Sequence, residues 1–178
     1  MKLSQFTVAL GLAVASSCAF AAGAGAPNDA QIAAIVVTAN QVDIDAGQLA
    51  KSTSKTQSVR DFAQLMITAH SGANQSATEL VTKLHVTPES NPTSESLKSG
   101  GDQNLASLRK LNGAAFDKAY VDHEVAYHQA VLDAVDKTLI PSAKNAELKA
   151  LLVKVRPTFV AHLEHARMLQ ALLGKSGG

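Results

Sequence analysis

Tryptophan is absent, tyrosine occurs twice, and aromatic residues make up 4% of the 178-residue chain. Stacking on bases or sugars therefore has almost nothing to work with. Neither sign of charge dominates: 16 basic residues stand against 15 acidic ones, for a formal charge of +1. That balance supplies no electrostatic footprint for nucleic acid or for an anionic membrane. The single cysteine, Cys18, excludes an internal disulfide and a cysteine-rich zinc site. No Gly-x-Ser-x-Gly elbow, phosphate-binding glycine loop or His-Glu-x-x-His helix is present, which leaves hydrolase and nucleotide chemistry without a motif. What is abundant is aliphatic residue. Apolar residues account for 46% of the chain, enough for the packed core of one domain of this length.

The first 21 residues read as an export signal. Lys2 supplies the positive end, Phe6 to Phe20 carries no charge, and Ala19-Phe20-Ala21 offers small residues where a signal peptidase reads. The apolar run is short for a membrane span, which needs ~20 residues. Ala15-Ser16-Ser17 lacks the leucine usual before a lipidated cysteine, which argues against an anchor at Cys18. Cleavage after Ala21 removes Lys2 and Cys18 and leaves a thiol-free chain with no stable membrane span, suited to an oxidising periplasm. Residues 22–28 then form a flexible lead-in, 29–173 the folded domain, and 174–178 a flexible tail.

Apolar residues in the domain recur at steps of three and four, and the pattern predicts four long helices. The first runs from Asp29 to about Ser52, capped by Asn28 or Asp29, with Ile32, Ile35, Ala39, Val42, Ala46 and Leu49 as its stripe. The second runs from about Thr56 to His85 and ends before Pro88. Pro88 to Gly101, rich in Ser, Asn, Thr and Gly, reads as a loop, and Asp102 to Leu111 as a short helix. The third long helix spans Ala114 to about Leu139. The fourth spans Ser142, as N-cap, to about Leu173, with a kink at Pro157. Short connections near Ser54 and Pro141 make two antiparallel hairpins. The long middle connection can cross the whole bundle. The expected fold is all-α: a ferritin-like four-helix bundle whose one long crossover carries a short helix.

Histidines interrupt the apolar stripes. His162 stands between Phe159 and Ala166 on the fourth helix, and His70 between Met66 and Ala73 on the second. His128 shares a face of the third with Val121, Glu124, Val131 and Val135. A buried imidazole needs a partner, either a hydrogen bond or a metal. Three on separate helices point to a shared metal site, which a carboxylate of the first helix, Asp43 or Asp45, can complete. Those two flank the stripe on opposite sides, and helical phase does not choose between them. His165, one turn past His162, and Glu124, one turn before His128, are further candidates. Imidazoles with a carboxylate suit zinc, copper or iron. A di-iron oxidoreductase uses paired Glu-x-x-His motifs, and the chain has none.

The chain also resembles a known family. Val42-Asp43-Ile44-Asp45-Ala46-Gly47-Gln48-Leu49-Ala50 on the first helix and Val59-Arg60-Asp61-Phe62-Ala63-Gln64-Leu65-Met66 through His70 to Asn74 on the second carry the likeness. Phe116-Asp117-Lys118-Ala119-Tyr120, His128, Pro157, His162-Leu163 and Ala166-Arg167 complete it. This set resembles the exported bacterial domain of unknown function 4142, and implies a ferritin-like fold and export over about Asp29 to Leu173. Members often carry Asp directly before the second-helix histidine, where this chain has Ala69. The expected function is a periplasmic bundle that binds or buffers a transition metal through inward histidines. The alternative is a metal-free envelope protein acting through protein contacts in stress tolerance.

Overall fold

The computed structural model describes residues 25–176. The signal segment expected over 1–21, with Lys2 and Cys18, lies outside the described residues, as do residues 177 and 178 of the expected tail. Among the described residues all regular structure is helical. Helix α1 (Asp29–Thr53) opens on a reciprocal capping box. Asn28 Oδ1 accepts from Gln31 N at 2.9 Å, and Gln31 Oε1 accepts from Asn28 N at 3.1 Å. Asp29, the other candidate cap, reaches across the bundle instead, where its two oxygens accept from the backbone of Lys144 and Asn145. A three-residue turn leads into α2 (Gln57–Lys83).

The middle of the chain departs from expectation. Helix α3 (Pro92–Leu108) starts ten residues before the expected Asp102 and occupies much of the stretch read as loop. Its start is well specified: Asn91 Oδ1 accepts from Thr93 N and Ser94 N, Ser94 Oγ accepts from Asn91 N, and Pro92 takes the first helical position. The Ser, Thr and Gly content misled because α3 buries only a narrow face, at Ser94, Leu97, Gly101 and Leu108. Helix α4 (Gly113–Ala134) passes into a π-helical turn at Val135–Leu139 and a last turn, α5 (Ile140–Ser142). Helix α6 (Ala146–Ser176) is capped by Asn145, whose Oδ1 accepts from Glu147 N and Leu148 N, rather than by Ser142. It continues through Pro157, which is exposed, and runs past Leu173 into the stretch expected as tail.

Contacts between helices give the topology. Asn40 meets His70 and Val37 meets Asn74, so α1 and α2 are antiparallel. Gln129 meets Arg167 and Asp122 meets Gln170, so α4 and α6 are antiparallel as well. The Tyr127 hydroxyl donates to Ala39 O, and Thr56 Oγ1 donates to Asp117, which ties the two hairpins together with α1 antiparallel to α4. Helix α3 runs back along α1 and parallel to it, with Asn91 against Gln31 and Gly101 against Val42. It is the crossover. Two hairpins joined by one long crossover form the expected ferritin-like arrangement, with a longer crossover helix.

Gly101 sets how closely α3 approaches. A Cβ there would stand 2.8 Å from a Val42 methyl carbon. Gly101→Val is therefore expected to push α3 off α1 and lower stability by ~1–3 kcal/mol, overpacking outweighing the gain in helix propensity. Chemical denaturation measures this, and an unchanged midpoint would mean that α3 does not pack as described.

The interior divides into two apolar cores. One gathers Ile32, Ile35, Val131, Val135, Leu152 and Phe159; the other gathers Ala46, Phe62, Met66, Tyr120, Val121 and Ala166. Between them lies a layer of buried polar side chains.

Candidate metal centre

Each of the four long helices sends at least one buried residue of a metal-ligating type into that layer. Asp43 comes from α1, His70 from α2, His128 from α4 and His162 from α6. They are 1%, 3%, 1% and 4% exposed. Glu124, one turn before His128, is also buried. The helical stripes explain the three histidines: each continues the apolar face of its helix, so the packing that buries the neighbours buries it too, whereas Asp43 flanks the α1 stripe and is buried by the helices packed on its side.

The three imidazoles form a nearly equilateral triangle. Ring centres are 5.6 Å apart for His70 and His128, 5.3 Å for His70 and His162, and 5.4 Å for His128 and His162. Asp43 Oδ2 lies 2.6 Å from His70 Nε2 and 3.5 Å from His128 Nε2. Neither contact has hydrogen-bond alignment. Glu124 Oε2 is 3.5 Å from His128 Nδ1.

Partners behind the rings orient them. His70 Nδ1 is 2.8 Å from Asn40 Oδ1, and His128 Nδ1 is 3.0 Å from the Glu124 backbone oxygen. The two oxygens can only accept, so each Nδ1 donates, and the Nε2 atoms are the ones that face the carboxylate of Asp43. Metal-ligating histidines are oriented in this manner by a carbonyl or carboxylate on the other nitrogen. Phe159 stacks on His70 at 5.4 Å with the planes 6° apart, which fixes the ring further.

Electrostatics separates the two carboxyl groups. Burial pushes Asp43 up, but His70 and His128 beside it outweigh that and hold it at about 2. Burial, reinforced by the neighbouring Asp43 charge, pushes Glu124 well above the usual carboxylate range. Asp43 thus carries the charge of the pair. Burial lowers His128 against the pull of Asp43, and burial with the neighbouring imidazoles lowers His162 to about 3. At neutral pH His128 and His162 are therefore uncharged, with a lone pair on one ring nitrogen. His70 Nε2, His128 Nε2, His162 Nδ1 and the carboxylate oxygens of Asp43 and Glu124 are buried without a hydrogen-bond partner. Two groups are placed to hold a metal ion, His70–His128–His162 and Asp43–Glu124–His128, with ligand atoms within 4.8 Å of one another in each.

The model of a family described as a domain of unknown function (DUF4142) matches residues 15–169. The chain belongs to the DUF4142 family. No curated protein and no solved structure matches it.

Within this DUF4142 domain the structure brings together His70, His128, His162, Asp43 and Glu124, and leaves out two of the sequence candidates. Asp45 points away from the centre: it accepts from Gln41 at 2.8 Å and lines the groove between α1 and α3. Asp43 takes the interior because α2 and α4 pack on its side of α1. His165 sits half-buried against the Phe62 ring, with centres 5.1 Å apart, rather than in the cluster. Ala69, where DUF4142 members often carry Asp, is half-buried beside the centre's His70 and outside the polar layer. Sequence reasoning missed Asn40. Its signal was an amide one turn before Asp43, meaningful only once His70 is known to face it. Asn40→Ala is expected to weaken metal binding ~10–100-fold while leaving every proposed ligand in place, by freeing the His70 ring. Isothermal titration with zinc checks this, and wild-type affinity in the variant would remove Asn40 from the centre.

Proposed function

We propose that the protein is exported to the periplasm and binds a first-row transition metal, zinc, copper or iron, as a metal-binding or buffering bundle. One observation carries the reading: three imidazoles from three helices meet at one buried point, His128 also belongs to a second group with Asp43 and Glu124, and the inward atoms lack hydrogen-bond partners. Buried polar atoms left without partners are costly, and a metal ion supplies the missing partner. The ring spacing fits. An imidazole bound at about 2.1 Å sets its ring centre roughly 3.2 Å from the ion, and tetrahedral angles then separate ring centres by about 5.2 Å. The closest pair here is 5.3 Å apart and the widest 5.6 Å.

His70, His128 and His162 would hold the ion, and Asp43, beside His70 and His128, would offset its charge. A metal so held supplies a Lewis-acid or redox centre, depending on its identity. Asn40 and the Glu124 carbonyl fix the ring orientations, and the apolar cores on either side keep bulk water out.

Metal content per chain, measured on untagged protein from the periplasm without chelator, tests the reading. A near-stoichiometric first-row metal is expected, and His70→Ala, His128→Ala and His162→Ala should each lose it. Undiminished binding in all three variants removes the site. N-terminal sequencing tests export: an exported chain should begin at Ala22, and a full-length cytoplasmic chain would refute that part.

A second reading, the metal-free envelope protein, rests on the 2.6 Å contact between His70 and Asp43, which brings these two buried groups together without a metal. Under it, chelators leave the unfolding midpoint unchanged.

A further inference from the structure

A cavity of about 30 Å³ adjoins the imidazole cluster on the side of the first apolar core. One end of it is formed by Asn40, His70 and His128; the walls are aliphatic and aromatic, among them Ile35, Val131 and Leu152. A single water needs ~10–15 Å³ and two to four polar partners. The volume is therefore ample for a water, while the chemistry is wrong for one. At the polar end, His70 Nδ1 and Asn40 Oδ1 face each other and His128 Nδ1 is taken up by the Glu124 backbone oxygen; Asn40 Nδ2 and the two Nε2 atoms are unpartnered, but nearly all the surface that the cavity presents is carbon. A void with apolar walls stays dry and takes apolar guests.

A second observation points to the same place. Val135 and Leu139, the two ends of the π-helical turn, both line the cavity. π-turns are rare and occur frequently at functional sites, because the wider turn re-aims side chains that an α-turn would place elsewhere. Here it falls where α4 passes the cavity.

We propose that this cavity is a binding site for a small, uncharged, apolar molecule of the size of dioxygen, held against His70 and His128. The volume matches two heavy atoms. The walls offer dispersion contacts and little to a charged or strongly hydrogen-bonding guest. The inference rests on the cavity and not on the metal reading, so metal-stripped full-length mature protein is the material for the test.

Xenon is the first probe. Crystals pressurised with xenon are expected to show one atom in contact with Ile35, Val131 and Leu152, and Ala134→Leu, which fills the cavity, should abolish it. Dioxygen is the second probe, read by methyl NMR in solution. Under oxygen pressure, methyl groups of Ile35, Val131 and Leu152 should relax faster, relative to a nitrogen control, than the equally buried methyls of Val59 and Leu108 in and around the other core. Ordered water in the cavity with no xenon, or equal oxygen effects on both sets of methyls, would overturn the proposal. Both wild-type readouts decide the matter even if Ala134→Leu fails to fold.

Discussion

Metal-saturated protein is expected to unfold about 8–16 °C above chelator-treated protein. A ligand present at a thousand times its dissociation constant, bound to the native state alone, adds ~4.1 kcal/mol. In a domain of this size each kcal/mol moves the midpoint by ~2–4 °C. The effect depends on ligands that come together only in the fold, since His70, His128 and His162 stand on three different helices. Replacing any one by alanine should remove most of the metal-dependent shift. Asp45→Ala and His165→Ala should keep it, because both residues lie outside the cluster. The quantity to compare is the shift between loaded and stripped protein. Each histidine variant also opens a void in a buried layer, and that lowers the midpoint with or without metal. Differential scanning calorimetry with zinc, copper(II) and iron(II) makes the comparison. Coincident midpoints in all three, or a shift that survives every histidine variant, would sink the metal reading.

The stripped protein should be unusually sensitive to acid, and from a higher pH than carboxylates alone would cause. His123 is held at about 4, mainly by burial, and His162 at about 3, by burial and by the imidazoles of His70 and His128. Both sit below the ordinary histidine value of about 6.5. A group whose folded value is depressed stays neutral in the native state and takes up its proton on unfolding. Its contribution is complete above about pH 6.5 and is lost progressively as pH falls through the folded value. At pH 5 unfolding should therefore take up about two protons on His123 and His162, with His128, also lowered by burial, adding to that and Glu124, whose folded value is raised, releasing part of one. Asp43 titrates far later: its lowered value contributes stability above the usual carboxylate range that disappears only towards about pH 2. Calorimetry in buffers of different ionisation enthalpy counts the protons. An uptake near zero at pH 5 would mean that these histidines are already charged in the folded protein, and so are not shut away from water. Bound metal should protect against this loss, because coordinated imidazoles compete with protons.

Much of the fold was legible because burial leaves a periodic trace. The stripes on α1, α2, α4 and α6 each cover a buried face, and the histidines that break them are buried residues. A residue in phase with an apolar stripe must face the interior wherever the neighbouring helices stand, so His70, His128 and His162 were identifiable without any tertiary contact. The hairpin connections followed from length alone. Helix α3 was different. Its outer face is polar and carries Ser, Thr and Gly, and its helical state is secured by the Asn91 cap and by contact with α1 at Gly101, neither of which leaves a stripe.

The same division runs through the centre itself. The sequence alone determined a helical chain with three inward histidines on three helices, because helical phase is a local property of spacing. Only the tertiary structure decided that Asp43 and not Asp45 joins them, that Asn40 stands behind His70, that His165 turns to Phe62, and that an apolar-walled cavity and a π-turn lie beside the cluster. Those facts depend on the register and rotation of one helix against another. These are set by the summed packing of both cores, and no single segment encodes them.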